Sequence, residues 1–312
     1  MDVLRLRLRM RIIDLRISTL PTINGEKVVM RILDRNATVH NIDQLGLGTA
    51  ELNKLSKVVK KPQGIILATG PTGSSKTTTL YSLLQHDATP EKNYVTIEDP
   101  VEYYLDMAGQ VMVKEKYGMD FPTVLRAILR QDPDVILLGE IRDLDTAEVT
   151  FHAALTGHLV YSTLHTNSAV ATIARLLDLG VKPYIVASAL EAVIAQRLIR
   201  KICNDCREET EVPDEILHSL GAAFAAAEFK TFHGTGCRKC SHSGYQGRLA
   251  IHEVLVLDDH IRELISSEAS TIELANATSK TMNLLIDDAA RKVNLGLTTA
   301  DEVLRVLGPQ VL

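Results

Sequence analysis

The chain has 312 residues, of which 46% are hydrophobic and 23% charged, with a formal net charge of −5. This composition excludes a disordered or fibrous chain and gives no overall attraction for nucleic acid. Its length predicts roughly two domains, and no apolar run approaches the ~20 residues a membrane span needs.

Residues 4–11 alternate strictly, Leu4, Leu6, Leu8 and Met10 against Arg5, Arg7, Arg9 and Arg11. That period of two predicts a strand with one apolar and one basic face. The doublet Ile12-Ile13 breaks the parity and is expected as a bulge. Pro21 and the pair Asn24-Gly25 predict a turn before strand character resumes at residue 28, so the first forty residues read as a β-hairpin. That is too little for a domain, and its remainder is expected upstream. The first ten residues hold no signal-peptide core.

From about residue 45 the pattern alternates. Short apolar runs at 64–70, 93–99, 134–140 and 158–166 predict strands, and residues 76–85, 122–131, 144–155 and 168–180 predict helices between and after them. Strands alternating with helices imply a parallel sheet covered on both faces, an α/β fold. Residues 183–202 are read as a further helix running up to the first cysteine. The stretch 203–240 is a separate module by composition, with a helix of its own over residues 215–229. The tail is expected to be helical over 258–267, 271–296 and 298–308.

Gly70-Pro71-Thr72-Gly73-Ser74-Ser75-Lys76-Thr77 lies between the first of those strands and the first of those helices. It matches the phosphate-binding pattern G-x-x-x-x-G-K-[ST] except that Ser75 stands in place of the second glycine. In such a loop successive N–H groups, including that of Thr78 at the helix start, face phosphate oxygens. Lys76 adds a cation on the β/γ-phosphates and the Thr77 hydroxyl ligates Mg²⁺. A serine held in left-handed geometry costs about 1–2 kcal/mol, so the loop is expected to survive with weakened binding or turnover. The competing reading is a glycine-rich turn with an accidental Lys-Thr.

Acids fall at two strand ends. Glu98, Asp99 and Glu102 follow one, and Glu140 follows another, with Gly139 where an aspartate is usual; a carboxylate there can orient or deprotonate an attacking water. Taken alone, Glu98, Asp99 and Glu102 are better explained as loop-solvating acids that cap the next segment, and Asp143 as a helix-end charge. His158 precedes one predicted strand and His165 ends it; both compete with a purely structural reading. Cys203, Cys206, Cys237 and Cys240 form two C-x-x-C pairs, the signature of a closed tetrahedral zinc site without an open catalytic position. Four free or redox-active thiols are the alternative. With no export signal, the cysteines point to metal in a reducing cytoplasm rather than to disulfides.

Together the segments 18–35, 70–81, 96–103, 128–148, 156–169, 195–206 and 244–255 closely resemble the secretion-ATPase superfamily, and within it the type II secretion and type IV pilus assembly ATPases. The resemblance covers the chain from about residue 12 to its end. It implies a truncated second N-terminal β domain over 1–44, a RecA-like P-loop ATPase core over 45–200, a tetracysteine zinc module over 201–247 and a helical region over 248–312. It implies further that Glu98, Asp99 and Glu102 stand near Mg²⁺ and its waters, and that Glu140 prepares the hydrolytic water. His158 and His165 would approach the γ-phosphate, and Arg16 and Arg31 would fold over the nucleotide. ATP, Mg²⁺ and Zn²⁺ are the implied cofactors. The implied assembly is a cytoplasmic homo-hexamer that pushes on an inner-membrane platform, with no nucleic acid partner, to build a pseudopilus or a pilus. Ser75 leaves a second reading, a nucleotide-binding ring subunit with weak hydrolysis. A nucleic-acid translocase on the same core is disfavoured by the acidic balance.

Overall fold

The computed structural model describes residues 2–8, 11–34, 41–225, 230–279 and 281–310. Strands β1 (Asp2–Leu8), β2 (Arg11–Thr22) and β3 (Gly25–Asp34) make an antiparallel sheet. The expected hairpin is β2–β3, with Thr22 paired to Gly25 so that Ile23 and Asn24 form its two-residue turn. The parity break at Ile12-Ile13 is not a bulge. The chain reverses between β1 and β2, and Ile12 and Ile13 pair in unbroken register with Arg7 and Leu6. The alternation therefore restarts on a new strand; residues 9 and 10 of the expected first strand lie outside the described residues.

The next elements are α1 (Thr49–Val58), β4 (Gly64–Thr69), α2 (Lys76–His86), β5 (Tyr94–Glu98), β6 (Ala108–Met112), α3 (Phe121–Ile128), β7 (Val135–Leu138), α4 (Leu144–Leu155), β8 (Leu159–Leu164), α5 (Ala169–Asp178), α6 (Pro183–Ala189) and β9 (Leu190–Ile202). Three helices start where the sequence supplies an N-cap. Asp120, Asp143 and Ser168 each accept a hydrogen bond from the N–H three residues on, satisfying an orphan donor of the first turn. Asp143 is thus a helix cap, one of the roles open to it from sequence.

Among the described residues a seven-stranded sheet runs in the order β12-β9-β4-β8-β7-β5-β6, where β12 is Tyr245–Val256. All neighbours are parallel except β12, which pairs antiparallel with β9. Residues 183–202 are therefore not one helix: α6 ends at Ala189 and the rest is a strand. The first seven residues of β9 are all buried, Glu191 and Gln196 included, so both faces are covered and no inside–outside alternation separates strand from helix. Strand β12 likewise lies partly within the segment 248–312 that was expected to be helical.

Each face of the sheet carries its own core. Ile65, Leu67, Ile97, Ile136 and Val160 pack with α3, α4, α5 and α6. Ile66, Ala68, Leu137 and Tyr161 pack with α1 and α2. Each fully buried Ile, Leu or Val side chain among them contributes about 1.5–3 kcal/mol.

The segment between β9 and β12 holds β10 (Arg207–Thr210), α7 (Asp214–Ser219), α8 (Ala222–Ala225) and β11 (Thr231–Gly234), with β10 and β11 paired. Over its described residues the helix expected at 215–229 is two short ones, α7 and α8; residues 226–229 lie outside the described residues. The ends of the excursion meet, because Ile202 is the strand partner of Tyr245. Helices α9 (Asp259–Ser266), α10 (Thr271–Thr278), α11 (Leu285–Asn294) and α12 (Ala300–Leu307) complete the chain, so the helix expected over 271–296 is interrupted. A third core joins Ile199 and Ile251 to Leu220, Phe224, Val293 and Val303.

That third core encloses a charge. Glu302 on α12 is fully buried, accepts the Arg200 N–H at 2.9 Å and Arg200 Nε at 2.8 Å, and meets Arg305 Nε at 2.7 Å. Burial alone would raise its pKa, but the bonds from Arg305 and Arg200 hold it down at about 2 against an ordinary 4.5. The folded value lies below the unfolded one, so this stabilisation is complete above about 4.5 and is lost as pH falls toward 2. Glu302→Gln should lower the melting temperature at neutral pH and flatten its decline across that window; an unchanged acid profile would exclude the pair as its source.

Candidate functional site

Parallel strands deliver their following loops to one edge, and that edge is the crevice of an open α/β sheet. Here it receives residues 70–77 after β4, Glu98 at the end of β5, Glu140 after β7 and His165 after β8. They border a cleft of about 350 Å³ whose walls include Thr72, Gly73, Ser74, Ser75, Lys76, Thr77 and Thr78.

The loop is built by close approach. A side chain on Gly70 would start 2.4 Å from the Gln196 carbonyl oxygen and 2.6 Å from Ser74 Oγ, so nothing larger fits. The serine where a glycine is usual adopts the glycine conformation, with φ 67° and ψ 32°. The loop shape is kept, and Ser75 carries the strain. Gly139 is explained by space as well: a Cβ there would lie 3.3 Å from the Ile97 carbonyl oxygen and from the Phe121 ring. A side chain there is tight against strand β5 and the Phe121 ring, and the acid at this strand end is Glu140.

Lys76 is only 9% exposed. Its ammonium donates to the Gly70 carbonyl at 2.9 Å and the Pro71 carbonyl at 3.3 Å, and lies 3.4 Å from His165 Nδ1. Burial lowers its pKa and Arg197 adds to that, while Glu140 and Glu102 oppose it. On the other side of the ring, His165 Nε2 is 3.4 Å from Glu140 Oε2, and Arg142 donates to Glu140 Oε1. Burial would raise the pKa of Glu140; Arg142 and His165 outweigh it and hold the carboxyl below its ordinary range. The result is a line of contacts, Lys76 to His165 to Glu140 to Arg142, with a carboxylate kept ionised at its centre.

Glu98 sits deeper, 3% exposed. It accepts from Tyr81, from Thr96 Oγ1 at 2.6 Å and from Gln110 Nε2 at 3.2 Å. Burial raises its pKa against the pull of these three donors. Asp99 and Glu102 also border the cleft.

One predicted group falls elsewhere. His158 precedes β8 at the foot of the sheet, its carbonyl accepting from the Gly64 N–H and its Nδ1 2.8 Å from the Ala153 carbonyl oxygen. A six-residue strand separates it from His165, about 20 Å. Arg16 and Arg31 are direct strand partners on β2 and β3 of the N-terminal sheet. Conversely, Tyr81, Gln110, Gln196 and Arg142 hold the site without having been singled out from sequence. Arg248 on β12 reaches the cleft from the chain's far end. Only Arg142, two residues from Glu140, carried a local signal.

The four cysteines converge away from the cleft. Their sulfurs lie within 4.8 Å of one another, with Cys203–Cys237 at 3.8 Å, Cys206–Cys240 at 3.9 Å and Cys237–Cys240 at 3.8 Å. These are not disulfides, whose sulfurs sit at ~2.05 Å. A tetrahedral ion with thiolates at ~2.3 Å places its sulfurs about 3.8 Å apart, so the donor set is compatible with such an ion.

The buried strand, lysine-bearing loop and helix, with acids at neighbouring strand ends, define a P-loop protein of the α/β class. The family model described as "Type II/IV secretion system protein" matches residues 2–305. The chain is 46% identical over 301 residues to the type II secretion system ATPase E of Vibrio cholerae, covering 96% of this chain and 60% of that protein. It is 46% identical over 294 residues to the type IV pilus assembly ATPase PilB of Thermus thermophilus, covering 94% of this chain and 33% of PilB. The structure of the pilus retraction motor PilT with bound ADP aligns with a TM-score of 0.69 at 27% identity, covering 97% of this chain and 76% of that one. DotB of Legionella pneumophila shares the fold, with a TM-score of 0.71 at 21% identity over 96% of this chain and 75% of its own. The chain belongs to the type II/IV secretion system protein family. It spans about 60% of the length of its type II secretion relatives.

Proposed function

We propose that this chain is the catalytic part of an ATPase motor that drives pseudopilus assembly in type II protein secretion. Pilus extension is the alternative within the same chemistry, favoured by the similarity to PilB. The observation that carries the reading is the convergence of Lys76, His165 and Glu140 at the mouth of a loop whose shape survives its missing glycine.

In this reading the N–H groups from Gly73 to Thr78 and the Lys76 ammonium hold the β- and γ-phosphates. Bound Mg²⁺, ligated by Thr77, would neutralise charge developing on the phosphates. Glu140 accepts the proton of the attacking water, and Arg142 and His165 keep it ionised and aimed. Glu98, held by Tyr81, Thr96 and Gln110, orients water at the metal side with Asp99 and Glu102. His158 has no part in these steps. Arg16 and Arg31 close over nucleotide from their own sheet, within the chain or from a neighbour in a homo-hexamer. Zinc on Cys203, Cys206, Cys237 and Cys240 would supply a structural crosslink. The remaining partners are an inner-membrane platform and its cytoplasmic components, met from the cytoplasm; no helix among the described residues is long and apolar enough to cross a membrane. Domain limits at residues 44, 200 and 247 follow the same reading.

The weak-hydrolysis alternative rests on the left-handed Ser75 alone. Ser75→Gly removes a strain of about 1–2 kcal/mol and clears a hydroxymethyl group from the loop. Steady-state hydrolysis of Mg·ATP by the chain and this variant separates the readings. Measurable turnover that rises severalfold in the variant is expected. A variant no faster than the parent removes the basis of the weak-subunit idea, and no turnover in either removes the motor.

A further inference from the structure

Gln196 is fully buried on β9, directly behind the phosphate loop. Its Nε2 donates to the carbonyl oxygen of Ser74, while its Oε1 has no hydrogen-bond partner. Turning the amide over would set carbonyl against carbonyl, so this orientation is the one the loop accepts. A buried amide bonded at one end only is a side chain kept for its donor. The backbone of the same residue presses on the loop too, since its carbonyl oxygen occupies the space beside Gly70.

The bond has a geometric consequence. Across a trans peptide the C=O and N–H point in opposite directions. Ser74 and Ser75 line the cleft and Gln196 does not. Fixing the Ser74 carbonyl toward Gln196 therefore turns the Ser75 N–H the other way, into the cleft. This is the peptide next to the left-handed φ of 67° at Ser75. A residue in that region relaxes away from it unless the surroundings hold it there. The neighbouring Arg197, on the opposite face of the strand, donates to the Asn167 carbonyl at 3.1 Å and to Asn167 Oδ1 at 3.0 Å. The strand is thereby anchored against the segment that carries His165, and Gln196 acts from a fixed base.

We propose that Gln196 is a positioning residue for phosphate binding: it aims the Ser75 N–H at the bound polyphosphate and holds the loop in its strained shape. The proposal rests on the nucleotide reading of the cleft. The test uses the full 312-residue chain. Gln196→Met keeps length and removes the donor; Gln196→Glu keeps shape and replaces the donor by an acceptor. Each is titrated with Mg·ATP by calorimetry and assayed at steady state, with melting temperatures measured without nucleotide. The expected result for Gln196→Met is a tenfold rise in Kd and KM for Mg·ATP, about 1.4 kcal/mol, with kcat within threefold of the parent. Gln196→Glu should bind at least as weakly, and it decides the matter if the methionine variant fails to fold. Variants that melt lower yet bind Mg·ATP within twofold of the parent would make Gln196 a packing residue and overturn the proposal. A parent that does not bind Mg·ATP at all overturns the nucleotide reading instead, and this inference with it.

Discussion

Lys76→Ala is expected to leave the chain folded and to reduce its affinity for Mg·ATP at least ~100-fold, about 2.7 kcal/mol, with hydrolysis at background. The lysine is nearly buried and bonds the carbonyls that open the loop, Gly70 and Pro71, so it braces the loop and, in the proposed function, is also the cation for the phosphates. A hydrogen bond to a charged group contributes about 1.5–3 kcal/mol, and more than one phosphate oxygen is within the reach of an ammonium. The variant also leaves the pair Glu140–His165 without its neighbouring cation. Because the Glu140 and His165 side chains are 20% and 50% exposed, water replaces that cation at small cost to the fold. Calorimetric titration beside a thermal melt reads both quantities. Retained affinity in a folded variant would refute the role given to Lys76.

Metal removal should act on a different part of the molecule. Analysis is expected to find about one zinc per chain, and chelation should open the cysteine-bearing parts of the module, residues 203–210 and 231–240, to protease while the P-loop sheet keeps its melting transition. The reason is the poverty of the module's own core. Around the sulfurs the buried cluster consists of the cysteines themselves, and β10–β11 is a two-stranded ribbon. A lone ribbon is marginal in water, whereas a closed thiolate zinc site contributes on the order of 10 kcal/mol to folding. Leu220 and Phe224 belong to the core built on α11 and α12, so α7 and α8 should stay docked as the ribbon loosens. Metal-free protein with an equally resistant module would sink this account.

The phosphate loop was legible because its chemistry is local: eight consecutive residues between an apolar run and a helix. The strands β4, β5, β7 and β8 were legible for the same reason. Strand β9 was not, since an internal strand buried on both faces loses the alternation that marks a strand. His158 and His165 looked equivalent as a pair flanking one strand; strand direction separates them, because only the carboxyl end of a parallel strand opens on the crevice. Tyr81, Gln110, Gln196 and Arg248 were beyond sequence reasoning, as each meets the site through a register or a helix face that only the folded chain defines. At Ser75 the left-handed geometry foreseen for the missing glycine is present as a backbone angle.

The partnership of Ile202 with Tyr245 makes everything between them, cysteines included, topologically a hairpin tip grown large. The ladder below that tip runs from Arg248 with Arg200 to Val256 with Ala192, and the tip rejoins the body through Leu220 and Phe224 in the core of α11 and α12. The cysteine-bearing part is thus set on the sheet as an appendage whose two ends enter and leave at a single rung.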